Sequence, residues 1–127
     1  MIKTKSVWEP INRKKDGIRI LATRYRGRGM PKTRYDIWMA SLAPSEKLLR
    51  SFSSWGQFTR QYRKELRELG SIDKKNPLIK NHGQKWSLRL IQFLAKKGPV
   101  TLLCHCSWDQ KKCHRHVLKR ILNGKVT

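Results

Sequence analysis

All three cysteines of the chain, and three of its four histidines, fall within residues 102–118, which read LLCHCSWDQKKCHRHVL. Cys104 and Cys106 are two apart, so in an extended segment both thiols share a face and His105 points the other way. Cys113 falls at the start of the last predicted helix. The positive helix end and its free amides lower the pKa of a thiol placed there, and the same helix start binds an anion directly. Arg115 leads toward a pocket rim or solvent, His114 leans toward the core, and His116 and Arg120 face water.

Several chemistries fit this cluster. Cys104, Cys106 and Cys113 with one of His105, His114 or His116 could complete a tetrahedral zinc set, although structural zinc ligands usually come in pairs separated by about two to four residues. Cys113 beside Arg115 could form an anion or thiol site. Cys104 or Cys106 could form a redox pair with Cys113. Cys104 could also be simply a buried strand residue, as cysteine often is. A phosphatase-type loop sets an arginine at a fixed short distance after its cysteine. The corresponding positions here are Gln110, Lys112 and Lys119, so that pattern is absent.

These side chains need a scaffold, and the pattern around them supplies one. Residues 5–10 read as a first strand stopped by Pro10, and 12–17 as a polar turn broken at Asp16-Gly17. Residues 18–24 place Ile18, Ile20 and Ala22 on one face and Leu21 on the other, which predicts a strand covered on both sides. A Gly-rich basic loop follows over 24–34, where glycine permits close backbone approach and arginine forks suit phosphate or carboxylate. Residues 35–42 predict a short helix, and a further helix starts near Pro44. With Ser53 or Ser54 as cap, Trp55, Phe58, Tyr62, Leu66 and Leu69 recur at helical spacing until Gly70. The opposite face carries Arg60, Arg63, Lys64 and Arg67. Residues 71–84 read as an irregular polar loop. Residues 85–97 predict a helix with Trp86, Leu90, Phe93 and Leu94 toward the core, closed by Gly98-Pro99. Residues 100–104 predict a buried central strand, and 113–122 a final helix with Val117, Leu118, Ile121 and Leu122 inward. Strands alternating with helices predict an α/β fold: one layered, helix-rich domain over residues 1–127, with a small mostly parallel sheet flanked by helices. In such sheets ligands sit outside the carboxyl ends of the strands, which is where the cysteines fall.

Thirty Lys and Arg against eight Asp and Glu give a net charge of +22 over 127 residues. That field attracts polyanions, so the expected partner is a phosphate-containing small molecule or nucleic acid. No helix-turn-helix, zinc-finger or RNA-recognition signature accompanies it. Trp38, Trp55 and Trp86 lie on apolar faces and are expected in the core; Trp108, in the polar junction, is the tryptophan placed for ligand stacking. No apolar run approaches the roughly 20 residues of a membrane span, and the first residues lack a signal-type apolar stretch. An odd number of cysteines without an export signal points to a reducing cytoplasm.

Residues 17–52, GIRILATRYRGRGMPKTRYDIWMASLAPSEKLLRSF, together with WGQFTRQYRKEL at 55–66, resemble the domain of unknown function 488 family in its YeaO-like branch. Arg24, Arg28 and Gly29 match its basic loop, Asp36 and Trp38 its Asp-x-Trp segment, and Leu42 to Ser45 its Leu-Ala-Pro-Ser. Cys113, His114 and Arg115 match the Cys-His-Arg of its closing helix. Tyr25-Arg26-Gly27 departs from the family's Trp-Pro approach to the loop. The resemblance spans about residues 3 to 122 and implies a compact cytoplasmic α/β domain.

Both readings converge on one pocket. Arg24, Arg26 and Arg28 are expected to hold an anion opposite Cys113, His114 and Arg115. Cys113 is expected to be the reactive or ligating thiol, together with Cys104 or Cys106, and Asp36 and His114 are expected as acid-base partners. Whether the chain is an enzyme or a nucleic-acid-binding module without chemistry stays open at this level.

Overall fold

The computed structural model describes residues 1–67, 85–107 and 111–124. Leu69, Gly70, the 71–84 loop, the Trp86 side chain and Trp108 lie outside the described residues. Four strands, β1 (Ile2–Ser6), β2 (Ile18–Leu21), β3 (Ile37–Trp38) and β4 (Val100–Cys104), form one sheet in the order β1-β4-β2-β3, with every pairing parallel. Helices α1 (Arg13–Asp16), α2 (Glu46–Ser51), α3 (Trp55–Arg67), α4 (Lys85–Lys97) and α5 (His114–Asn123) complete the small α/β domain. β4 is the last strand in sequence but lies in the interior of the sheet, buried along its whole length. Its apolar, β-branched start suits a strand packed on both faces.

The two faces differ. Ile2, Ile20, Ala22, Val100 and Leu102 share one face and pack against Phe58, Tyr62 and Leu66 of α3, Leu88 and Ile91 of α4, and Val117, Leu118, Ile121 and Leu122 of α5. The other face carries Val7, Leu21 and Leu103, closed by Met30 and Tyr35, and next to them a charged group. There Arg19, fully buried, donates to Asp16 at 2.5 Å and to the Arg34 carbonyl at 3.0 Å. Lys5 also pairs with Asp16, and Thr101 donates to the Asp16 carbonyl at 2.8 Å. Gly17 makes this corner sterically possible. Its φ is +62°, and a Cβ there would lie 1.9 Å from the Pro99 carbonyl oxygen.

Four elements differ from their sequence expectation, the first being residues 12–17, where the polar turn forms the short helix α1 capped by Asn12. Residues 35–42 form no α-helix. Ile37 and Trp38 add a two-residue edge strand, followed by a 3-10 turn at Ala40–Leu42. Trp38 is 42 % exposed rather than core, and its indole donates to the Thr23 carbonyl at 2.8 Å. On α4 the inward stripe is Leu88 and Ile91, flanked by Leu94, while Leu90 and Phe93 face outward. Several apolar residues surround that helix, so the pattern alone allowed two registers. β1 ends at Ser6, which leaves Trp8 in the following turn rather than in a strand.

Candidate functional site

β4 delivers Cys104 to the carboxyl edge of the sheet, and α5 begins beside it with Cys113 in an extended N-cap conformation. The three cysteine sulfurs lie within 4.8 Å of one another, and Cys104 Sγ is 3.2 Å from Cys113 Sγ. Cys104 and Cys113 are buried and Cys106 is half-buried. Arg115, 1 % exposed, places Nη1 2.8 Å from Cys104 Sγ and 3.3 Å from the Cys106 carbonyl, and Nη2 3.0 Å from the Ser107 carbonyl. The carbonyl contacts fix the guanidinium, whose charge lowers the pKa of Cys106 rather than that of the Cys104 it touches.

The thiols share their protons, so they ionise as a set. Cys106 is pushed down to about 2 by hydrogen bonds from Cys104 and then Cys113, assisted by the charge of Arg115. Cys104 is pushed up because it donates to Cys106 and Cys113 and is buried. Cys113 receives a hydrogen bond from Cys104 that favours its thiolate, but its own hydrogen bond to Cys106 and its burial leave it raised. One proton therefore leaves easily and the others are retained.

His114 is fixed by its neighbours. Nε2 lies 2.5 Å from the Ala22 carbonyl, an acceptor, so Nε2 carries the proton and Nδ1 turns toward Cys113 Sγ at 3.8 Å. Burial holds the ring below the ordinary histidine range, in its neutral form. Tyr62 meets this ring edge-on, with centroids 6.0 Å apart. Its hydroxyl donates to the Leu42 carbonyl.

The three cysteines are close enough that they could hold a metal ion. Among the described residues they form the one group of three or more close metal-competent side chains. His114 Nδ1 would be the fourth donor. Its Nε2 already rests on a backbone carbonyl, the arrangement that zinc-bound histidines usually adopt. His105 is exposed and turned to the Tyr25 carbonyl at 3.1 Å, and His116 is half-exposed on α5.

The basic loop after β2 does reach this edge. Gly27, at φ +95°, comes so close to His105 that a Cβ would lie 2.6 Å from the ring. Its arginines are placed differently from one another. Arg24 is buried and donates to the Ala43 and Pro44 carbonyls at 3.1 to 3.3 Å. Arg26 donates to the Tyr35 hydroxyl and the Met30 carbonyl, each at 2.6 Å. Arg28 is exposed. Asp36 is not brought to His114: it accepts from Arg13 and from the Arg19 amide near the start of β2.

Leu-Ala-Pro-Ser now has a physical role. Leu42 accepts from Tyr62, Ala43 and Pro44 accept from Arg24, and Ser45 caps α2 and donates to the buried Glu65 on α3. This stretch ties α3, and with it Tyr62, against the sheet edge. Its spacing gave no sign of that role, because each contact runs across about twenty residues of chain.

A parallel α/β sheet with a cysteine, histidine and arginine cluster at its carboxyl edge defines a small layered domain with that cluster at the strand ends. The model for the active DUF488-N3 subclade matches residues 2–126. The chain belongs to the domain of unknown function 488 family. No curated protein and no solved structure matches it. Among the described residues no helix is long and apolar enough to cross a membrane.

Proposed function

We propose that the chain is a thiol-dependent enzyme acting on a phosphate-bearing substrate, a nucleotide or nucleic acid. The observation that carries this reading is the group of three sulfurs within 4.8 Å, with the buried Arg115 guanidinium 2.8 Å from one of them. Such an arrangement stabilises one thiolate near neutral pH, and Cys106 is the thiol that solvent can reach. Cys104, Cys113, His114 and Arg115 set its charge and position. The start of α5 and Arg28 supply positive potential for an anion, while Arg24 and Arg26 hold the loop that presents Arg28. The matched subclade is described as active, which agrees with a catalytic role. The test is alkylation by iodoacetamide at about neutral pH: one fast modification at Cys106, slowed by a phosphorylated ligand, supports the reading.

The charge of +22 favours a second reading, a nucleic-acid-binding module without chemistry. Its affinity would fall steeply with salt and would be indifferent to alkylation. The donor set favours zinc for the same cysteines: stoichiometric zinc after gentle purification, with every thiol protected, would make the cluster structural.

A further inference from the structure

A second feature of the carboxyl edge lies between β1 and β4. The chain leaving β1 turns into α1, on the face that carries Arg19 and Thr101. The chain leaving β4 turns into α5, on the opposite, apolar face. Neighbouring parallel strands whose connections depart to opposite sides open a crevice at their carboxyl ends, and open α/β sheets bind ligands there. The crevice is present. A cleft of about 430 Å³ is lined by Ser6, Trp8, Glu9, Pro10, His105 and Ser107. That volume falls within the roughly 300–1,000 Å³ of small-ligand sites.

The lining suits a nucleoside. Trp8 is 55 % exposed, and the Arg34 guanidinium lies 5.9 Å from its ring centroid. Arg34 is itself fixed by the Val7 carbonyl at 2.8 Å and the Glu9 carbonyl at 3.0 Å, so one side of the indole rests on an anchored cation. His105 adds a second ring to the cleft. Glu9 is one of eight acidic residues in a strongly basic chain. Its carboxylate accepts from the Ser6 amide at 2.6 Å, which holds it at the cleft. An anchored carboxylate beside an aromatic platform selects a flat ligand bearing N–H or O–H donors. Ser107 joins the cleft to the thiol cluster, because its carbonyl accepts from Arg115.

We infer that this cleft is the base and sugar subsite of a nucleoside phosphate. The nucleobase stacks on Trp8, Glu9 accepts from its amino group or a ribose hydroxyl, and the phosphate points toward Arg115 and the start of α5. The inference rests on the proposed phosphate-bearing substrate and names its class.

Calorimetric titration of the full chain with adenosine monophosphate, ribose 5-phosphate, adenosine and inorganic phosphate at near-physiological salt separates the two ideas. The nucleotide is expected to bind about tenfold more tightly than ribose 5-phosphate, the scale of one base–aromatic stack. Trp8→Ala should erase that difference, Trp8→Phe should keep most of it, and Glu9→Gln should weaken adenosine monophosphate but not inorganic phosphate. Trp8 is largely exposed, so all three variants should retain the wild-type circular dichroism spectrum. Equal affinity for nucleotide and sugar phosphate, or a Trp8→Ala variant that binds like wild type, would overturn the base subsite and leave the anion reading standing. Trp8-dependent binding of adenosine with no gain from the phosphate would uphold the subsite and overturn the anion reading. No binding by any of the four ligands would overturn both.

Discussion

Among the described residues two arginines are fully buried, and their surroundings differ in kind. Arg19 faces Asp16, a carboxylate that Lys5 also contacts. Arg115 faces a thiol and two backbone carbonyls. A carboxylate beside two cations stays ionised throughout the physiological range, so the Arg19 pair is permanent and acts as structure. The charge of a thiol changes with pH, alkylation, oxidation and metal binding, so the Arg115 contact can respond to chemistry. The same chemical group fastens one face of the sheet and, at its edge, meets a side chain whose charge can change.

The largest effect should come from removing the fastener. Arg19→Ala leaves Asp16 buried with part of its pairing gone, and the expected cost is about 3–5 kcal/mol in urea unfolding. A loss below about 1 kcal/mol would show that the pair contributes little. The pH dependence has a definite sign. Burial alone would raise the Asp16 pKa, but the Asn12 amide, Lys5 and Arg19 outweigh it and hold it below the usual carboxylate range. A depressed carboxyl stabilises the fold above its unfolded pKa and loses that contribution as pH falls through the folded value. Acid unfolding should therefore begin below about pH 4, and Asp16→Asn should flatten that limb.

Arg24→Ala comes next. It strips buried carbonyls of Ala43 and Pro44 of their donor, at a cost of about 1–3 kcal/mol. A purely anion-binding Arg24 would instead leave stability unchanged and lower ligand affinity. Arg115→Lys keeps the charge but loses the planar fork, which one ammonium cannot replace on a sulfur and two carbonyls. The expected cost is about 1 kcal/mol in urea unfolding, with fast Cys106 alkylation retained at about pH 6. A stability equal to the wild type's would show that the fork is not needed there. Cys106→Ser should abolish the fast modification while shifting stability by no more than about 0.5 kcal/mol, because that side chain is half-exposed.

The contrast between the arginines also explains what was legible from sequence. The β4 strand and α5 helix carry their apolar residues at strand and helix spacing, so their positions, and the meeting of the cysteines at their junction, followed from local pattern. Arg19 broke the pattern without any local sign. It lies between Ile18 and Ile20 in β2, and its partner Asp16 reads as a turn residue until the fold brings them together. Trp38 was expected inside because aromatic residues usually are, yet it lies on an edge strand where only its indole N–H is engaged. Arg24 and Arg26 had the composition of an anion loop, but their immediate acceptors are carbonyls and a hydroxyl of the same chain. Trp8 is exposed because strand β1 ends two residues before it, at Ser6 rather than near Pro10, and no local pattern marked that end.

The most direct test of the central claim, an ionised Cys106 thiol in the cluster beside Arg115, is native mass spectrometry of the purified chain during reaction with iodoacetamide, from about pH 5 to 8. The account predicts one rapid adduct at Cys106, a rate nearly flat across that range, and a mass with no metal. A rate that climbs with pH as an ordinary thiol's does, or a stoichiometric metal with all three cysteines protected, would contradict it.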